Sequence, residues 1–201
     1  KGLFGTFDRA SLQRGYQVYT EVCAGCHSVQ HLSYRNLSEK GGPEFSIEEA
    51  KAIAAQFDVE DGPNSDGEMF MRPGRLSDKF VSPYPNVEAS TAANGGAYPP
   101  DMSVLAKARK GGADYLYSLL LGYDEAPEGF ELDDGVYYNK YMPGNKIKMS
   151  EPIIEGIVEY SDGTNPTKEQ VAKDITTFLV WASEPHLESQ HRMGFKTIIY
   201  L

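Results

Sequence analysis

Residues 23–27 read Cys-Ala-Gly-Cys-His, and their two cysteines are the only ones in the 201-residue chain. Two cysteines separated by two residues and followed directly by a histidine are the attachment signature of haem c. In such a site the thiols bond the porphyrin and the histidine becomes the proximal ligand of the iron. The motif therefore predicts one covalent haem c, held by Cys23 and Cys26, with His27 bound to its iron.

Two other uses of this motif compete with haem attachment. A structural zinc site needs two further Cys or His ligands at matching spacing. The remaining histidines, His31, His186 and His191, form no such pair. A thioredoxin-type dithiol stays open as an alternative, although it normally belongs to a βαβ unit. The chain around residues 23–27 looks helical instead.

Composition limits the classes of partner. The chain is 40% hydrophobic and 24% charged, which is typical of a globular protein of one domain, or of one domain with a large insertion. A formal net charge of −10 argues against nucleic acid and favours a basic protein partner. Haem c is attached on the oxidising side of an energy-transducing membrane, so we expect the periplasm or the mitochondrial intermembrane space.

The two ends of the sequence carry separate signals. No signal peptide is visible and the chain starts at Lys1, which indicates a mature or trimmed product. At the other end, the apolar run 197–201 is far shorter than the roughly 20 residues of a membrane span. It is either a tail that docks on the core or the first turns of an anchor helix.

Capping residues and apolar periodicity predict three principal helices. Asp8 is placed to cap the helix that leads to Cys23. Ser46 with Glu49, and Thr167 with Gln170, have the spacing of capping boxes for a second and a last helix. In the last helix an apolar face is formed by Val171, Ile175, Leu179 and Ala182. We expect that helix to stop at residues 183–185.

The remainder of the chain predicts little regular structure. Asp101 and Asp114 are candidate caps for short helices that run to Arg109 and to Leu121. Short strands are indicated near residues 136–138 and 153–160. Residues 58–98 and most of 123–166 lack periodicity. A structureless run as long as 58–98 is usually functional, and we expect that segment to wrap around the haem.

The distal iron ligand has several candidates. His31 lies one turn after His27, on the same side of the ring, and reads as a surface histidine. The candidates that remain are six methionines and two histidines: Met69, Met71, Met102, Met142, Met149, Met193, His186 and His191. Only Met142 and Met149 lie on the loop before the last helix, and the residues alone do not separate them. A haem enzyme or sensor with an open sixth iron site is the alternative.

Stretches along nearly the whole chain resemble one known family. They are Phe4-Gly-Thr-Phe-Asp8, Arg14-Gly-Tyr-Gln-Val-Tyr19 with 23–27, Tyr34-Arg35, Arg72-Pro-Gly-Arg-Leu-Ser-Asp78, Pro83-Tyr-Pro-Asn86, Ala93-Asn-Gly-Gly96, Pro99-Pro-Asp101, Arg109-Lys-Gly-Gly112, Asp114-Tyr115, Tyr160-Ser-Asp-Gly-Thr164, Glu184-Pro185 and Arg192-Met-Gly194. With them the sequence resembles the cytochrome c1 family, the haem subunits of the quinol–cytochrome c reductase (bc1) complex.

The resemblance implies a fold and a haem pocket. The implied fold class is mainly α, a class I cytochrome c-like fold with long irregular loop insertions. The family's axial methionine stands in an M-x-x-P context, which only Met149 with Pro152 matches. Positions that match the family's haem propionate partners and haem-lining segment are Asn94, Arg109, Tyr115, Pro99 and Pro100.

The resemblance also implies how the protein is organised and what it does. Residues 1–193 would form the haem domain, and 194–201 would be the stub of a C-terminal membrane anchor helix that the fragment lacks. The domain would accept one electron from the Rieske iron–sulfur protein and pass it to a cytochrome c, with cytochrome b as a further partner. It would perform no catalytic chemistry of its own. It would lie on the periplasmic side of the bacterial inner membrane, or in the intermembrane space, and bind no nucleic acid.

Overall fold

The computed structural model describes residues 5–201, so Lys1 and Phe4 lie outside the described residues. Helices dominate the described part of the chain. They are α1 Arg9–Val18, α2 Ile47–Ala54, α3 Val87–Ala93, α4 Leu105–Ala108, α5 Gly112–Leu121, α6 Lys168–Ser183 and α7 Leu187–Tyr200. The predicted fold class, mainly α with a cytochrome c-like arrangement and long loops, is confirmed.

Four short strands form two separate antiparallel hairpins. Strands β1 (Asp58–Asp61) and β2 (Phe70–Pro73) pair with Asp58 opposite Pro73. Strands β3 (Tyr137–Tyr138) and β4 (Lys146–Ile147) form the second hairpin, which agrees with the strand predicted near residues 136–138.

Helix α1 carries the chain into the Cys-Ala-Gly-Cys-His motif. The predicted cap is confirmed, because the Asp8 carboxylate accepts a hydrogen bond from the backbone N–H of Ser11 at 3.3 Å. The helix then widens into a π-helical turn, Tyr19–Cys23, in which Ala24 N–H bonds the Tyr19 carbonyl at 2.8 Å. Such turns are frequent at functional sites, and this one delivers Cys23 at its end.

The core is built where α1 crosses α6. Gly15 of α1 is buried at the crossing, and a Cβ atom there would lie 2.2 Å from the Asp174 carbonyl oxygen. The Asp174 side chain is fully buried and accepts hydrogen bonds from Ser11 Oγ at 2.6 Å and Arg14 Nε at 2.8 Å. A small residue and a buried ion pair thus hold the two helices in contact.

The predictions for α2 and α6 are largely confirmed. Ser46 and Glu49 form the expected reciprocal capping box. The Thr167 hydroxyl accepts the N–H of Gln170 at 3.2 Å, but the Gln170 side chain donates to Asp174 instead of returning to Thr167. The predicted apolar face is buried, and α6 ends at Ser183 as expected.

Four predictions for local structure are wrong. Residues 58–98 contain a hairpin and α3 rather than irregular chain alone. Asp101 does not cap α4, which begins at Leu105, and Asp114 lies inside the first turn of α5 behind the left-handed Gly111. The segment 153–160 is not a strand, because its buried and exposed apolar side chains do not alternate as they would in one.

Helix α7 begins at Leu187, ahead of the anchor stub expected from residue 194. Its last residues are open to solvent, with exposed fractions of 71% for Ile198 and 95% for Leu201. The alternative in which this end docks on the core of the same chain is therefore wrong. Within residues 5–201, no helix has the length and apolar character needed to cross a membrane.

The close crossing at Gly15 predicts a large penalty for one added methyl group. We expect Gly15→Ala to lower the free energy of unfolding by about 1 to 3 kcal/mol or more, because backbone of α6 occupies the position of the new Cβ atom. Urea denaturation followed by circular dichroism measures the change.

Gly194 is the matched control, since it is also helical but a Cβ atom added to it would have no neighbouring atom within 4 Å. There we expect Ala to be neutral, or stabilising by up to about 1 kcal/mol, because alanine favours the helix. Equal effects of the two substitutions would contradict the close-packing argument.

Candidate functional site

The two cysteines and His27 are arranged by a tight turn after α1. The backbone N–H groups of Cys26 and His27 both bond the Cys23 carbonyl, at 3.1 and 2.9 Å. Both thiols are free, with Cys23 half-buried and Cys26 exposed. Burial raises the pKa of the Cys23 thiol to about 12, which favours its protonated form at neutral pH. The two thiols thus lie on one turn of the chain and are not joined in a disulfide.

The imidazole of His27 is held by one ring nitrogen. Its Nδ1 lies 2.8 Å from the carbonyl oxygen of Pro100, so it carries the hydrogen and donates it. Burial lowers the pKa of His27 below its usual value, which favours the neutral ring. Among residues 5–201 no hydrogen bond engages Nε2. A neutral imidazole with one bonded nitrogen and one free nitrogen is the form that ligates metals.

These residues fit a haem c better than the other candidate groups. No cluster of three or more His, Cys, Asp or Glu side chains suited to a metal ion occurs in the described chain, which gives the zinc alternative no support. Two free thiols beside an oriented histidine match the donor set that haem c requires.

The segment 94–102 links His27 to the loop that carries Met142 and Met149, which we call the methionine loop. At one end the Gly95 carbonyl accepts a hydrogen bond from Lys148 Nζ at 3.3 Å, and at the other Pro100 contacts His27. Lys148 directly precedes Met149. His27, the predicted proximal ligand, therefore contacts one end of this short segment. The loop of Met149, the predicted distal ligand, contacts the other end.

Contacts within the loop fix the backbone of Met149. The Tyr123 hydroxyl donates to the Met149 carbonyl at 3.0 Å. Lys146, which also precedes the methionine, turns toward Asp133 at 3.8 Å and lies over the ring of Phe130 at 5.8 Å. The two lysines beside Met149 thus have polar partners: Lys146 lies near the Asp133 carboxylate, and Lys148 donates to the Gly95 carbonyl.

Met142, the other methionine of the loop, is also half-buried. Its sulfur lies 3.7 Å from the hydroxyl of Tyr115 on α5. The geometry thus gives Met142 a polar partner within the described chain, whereas the Met149 sulfur has none there. This difference favours Met149 as the thioether free to bind iron.

The expected propionate partners are dispersed, and their contacts differ. Asn94 ends α3 and donates its amide to the Ser90 carbonyl at 2.7 Å. Arg109 is exposed, and its only side-chain hydrogen bond within residues 5–201 is a long one, 3.4 Å, to the Ala108 carbonyl. The Arg109 guanidinium is consequently left available for an anion.

Sequence reasoning missed the contacts of two residues that shape the site. Asp101 belongs to the stretch 99–101 that resembles the family's haem-lining segment and was also expected to cap a helix, but it accepts hydrogen bonds from the 28–30 segment. Tyr123 carried no local signal. Only its place just after the Gly122 that ends α5, facing the methionine loop, marks it.

Comparison with known proteins identifies the family. The family model described as the Cytochrome C1 family matches residues 1–201. The chain belongs to the cytochrome c1 family. It is 50% identical over 200 residues to "Cytochrome c1-2, heme protein, mitochondrial" of Solanum tuberosum and 49% identical over 201 residues to "Cytochrome c1, heme protein, mitochondrial" of Saccharomyces cerevisiae. It is 47% identical over 219 aligned residues to "Cytochrome b/c1" of Bradyrhizobium diazoefficiens.

These alignments cover all of this chain but only part of each relative. The chain spans 76% of the Solanum cytochrome c1, 64% of the Saccharomyces cytochrome c1 and 32% of the Bradyrhizobium cytochrome b/c1.

The Tyr123 hydrogen bond predicts that the methionine loop of this cytochrome c1 family member depends on one hydroxyl. We expect Tyr123→Phe to lower the free energy of unfolding by about 1 to 3 kcal/mol, because the Met149 carbonyl loses its donor. Thermal denaturation measures the loss. Tyr137→Phe is the control, since that side chain is exposed, and a matching loss there would contradict the interpretation.

Proposed function

We propose that this chain is the haem-bearing electron-transfer subunit of a bc1 complex. The observation that carries the proposal is the oriented His27 beside two free thiols, in a chain that matches the cytochrome c1 family along its whole length. Cys23 and Cys26 would form the covalent bonds to one haem c, and His27 would bind the iron. When bound, the haem supplies a centre that takes up and releases one electron.

The distal ligand we propose is Met149. A thioether ligand raises the haem potential and suits electron transfer. Two contacts support this proposal: Tyr123 holds the Met149 backbone, and Lys148 ties the loop to Gly95. A methionine fixed in this way keeps small molecules from the iron, which separates an electron carrier from an enzyme or sensor with an open site.

The remaining pocket residues would bind the haem edge. Arg109 would bind a propionate: its guanidinium makes no ion pair in the described chain, and an arginine can bind a carboxylate bidentately. Tyr115 and Asn94 would add polar contacts. Pro99 and Pro100 would line the ring, with Pro100 also orienting His27.

The proposed partners follow from the bc1 complex. The chain would receive an electron from the Rieske iron–sulfur protein, pack beside cytochrome b and deliver the electron to a cytochrome c, with no bond-making chemistry of its own. Residues 1–193 would form the haem domain and 194–201 the start of the anchor. The exposed apolar side chains at the end of α7 support that division. The domain would face the periplasm or the intermembrane space.

The ligand assignment is tested by comparing the two methionines of one loop. We expect Met149→Leu to abolish the weak red absorption band of the ferric protein, lower the midpoint potential and let the reduced protein bind carbon monoxide, because the iron loses its thioether ligand. Absorption spectra and potentiometry measure these changes.

Met142→Leu is the control, because Met142 lies on the same loop and is also half-buried. Its spectrum should match that of the wild type. The reverse pattern would identify Met142 as the distal ligand of the iron. Carbon monoxide binding by the unmodified protein would favour the alternative with an open sixth iron site.

Two acidic clusters offer a docking surface for a basic cytochrome c. The hairpin cluster is Glu60, Asp61, Asp66 and Glu68, and the loop cluster is Asp124, Glu125, Glu128, Glu131, Asp133 and Asp134. The Lys146–Asp133 contact joins the loop cluster to the methionine loop, which carries the proposed distal ligand. It keeps an excess of negative charge, because within residues 5–201 only Asp124 and Asp133 of this cluster are paired with lysines.

Electron transfer to a basic cytochrome c should therefore depend strongly on salt. At low ionic strength steering can bring association to about 10⁸–10⁹ M⁻¹s⁻¹, and screening shortens its reach to about 10 Å at 0.1 M salt. Stopped-flow kinetics measure the rate. Replacing the acids of the loop cluster by Asn and Gln should flatten the salt dependence and leave the haem spectrum intact.

The same replacement in the hairpin cluster is the control for position. A rate that is indifferent to salt would refute electrostatic steering. Equal losses from both clusters would show steering by net charge, without a docking face at the methionine loop.

A further inference from the structure

A set of polar contacts next to His27 joins two segments that are distant in the sequence. The first, residues 27–31, follows the cysteine turn, and the second, residues 100–103, contains Pro100. Apart from the His27–Pro100 contact, the connecting hydrogen bonds are Ser28 Oγ to Asp101 Oδ2 at 2.7 Å, Gln30 N to Asp101 Oδ2 at 3.0 Å, Met102 N to the Ser28 carbonyl at 2.8 Å, and His31 N to Ser103 Oγ at 3.0 Å.

The Asp101 carboxylate is the centre of this network. One oxygen receives both Ser28 and Gln30, and the other receives the backbone N–H of Ser103 at 2.8 Å. Ser103 is fully buried and Ser28 is 8% exposed, so these two partners are shielded from water, whereas Asp101 is half-buried and Gln30 is exposed. Asp101 thereby fixes the turn of its own segment and attaches that turn to the segment that carries His27.

Burial of Asp101 opposes its ionisation, but the hydrogen bonds from Ser103, Gln30 and Ser28 outweigh that effect and lower its pKa. The carboxylate is therefore ionised at neutral pH. Charge-assisted hydrogen bonds are stronger than neutral ones, so the bonds to the Asp101 carboxylate hold the two segments together firmly.

We propose that Asp101 is a positioning residue for the proximal ligand, which holds the Pro100 carbonyl against Nδ1 of His27 by tying residues 28–30 to residues 101–103. Because Pro100 directly precedes Asp101, any rotation of the Asp101 turn moves the carbonyl that orients the imidazole. Partners that orient a ligating histidine also raise its basicity. The inference rests on the proposed function, in which His27 binds the haem iron.

The decisive measurement is the exchange of the His27 Nδ1 hydrogen with deuterium, followed by NMR in the reduced, haem-loaded protein. We expect Asp101→Ala to accelerate this exchange about tenfold or more, because loss of the network lets the Pro100 carbonyl leave the ring. The midpoint potential should rise as the imidazole becomes a weaker donor.

Two further variants separate position from charge. Ser28→Ala leaves the Asp101 charge in place but removes one tie, and it should also accelerate exchange. Asp101→Asn keeps an oxygen for Ser103 and should give an intermediate rate. If Asp101→Ala yields no haem-loaded protein, Ser28→Ala decides the question.

Asp162→Asn is the matched control. Asp162 also accepts the N–H of the second residue after it, Thr164, at 2.9 Å, but its other partner is Arg14, and no hydrogen bond within residues 5–201 joins it to 27–31 or 100–103. Its substitution should leave exchange and potential unchanged.

The outcomes distinguish this inference from the proposed function. If the unmodified protein has histidine–methionine ligation, but Asp101→Ala and Ser28→Ala exchange at its rate, the positioning role is overturned and the function stands. A potential that rises equally in both Asp101 variants, with no change in Ser28→Ala, shows an effect of charge alone and also overturns it. An unmodified haem protein without His27 ligation overturns the proposed function.

Discussion

The contact of α1 with α6 is the constraint on which the rest of the molecule depends. Gly15 brings the helices so close that only a hydrogen side chain fits, and the buried Asp174 requires Arg14 and Ser11 as partners. A buried carboxylate without partners would cost several kcal/mol, so the two helices have one register in which charge and shape are both satisfied. That register fixes where α1 ends, and therefore where the cysteine turn begins.

From this fixed point the site is assembled by loops, not by helices. His27 follows α1 by a short turn, but its orientation comes from Pro100, and the methionine loop is tied to the same segment through Gly95 and Lys148. Loops can curve around a flat cofactor in a way that straight helices cannot, and polar contacts to backbone carbonyls give them defined positions. The long irregular segments thus carry the geometry of the pocket while the helices carry its stability.

The parts of the fold that were predicted from sequence are those set by short-range chemistry. The capping box of Ser46 and Glu49 needs only residues three positions apart, and the apolar face of α6 needs only periodicity. Asp101 was misassigned because its partners Ser28 and Gln30 are more than 70 positions away in the sequence. The hairpin in 58–73 was missed because turn-forming residues hide it, and its Arg72 is held by contacts to both Asp61 and Asp78.

A second buried carboxylate with several partners, comparable to Asp174, lies in the first turn of α7. Glu188 is 7% exposed and accepts two hydrogen bonds from Arg9, each 2.7 Å, as well as the backbone N–H of Phe7 at 2.8 Å. These bonds hold the pKa of Glu188 below its usual value, so the charge persists and needs all of its partners. Arg9 is the first residue of α1. The Arg9–Glu188 ion pair therefore attaches the start of α7 to the helix that leads to His27. If α7 continues to an anchor, as we propose, this carboxylate sets the orientation of the haem domain relative to the membrane.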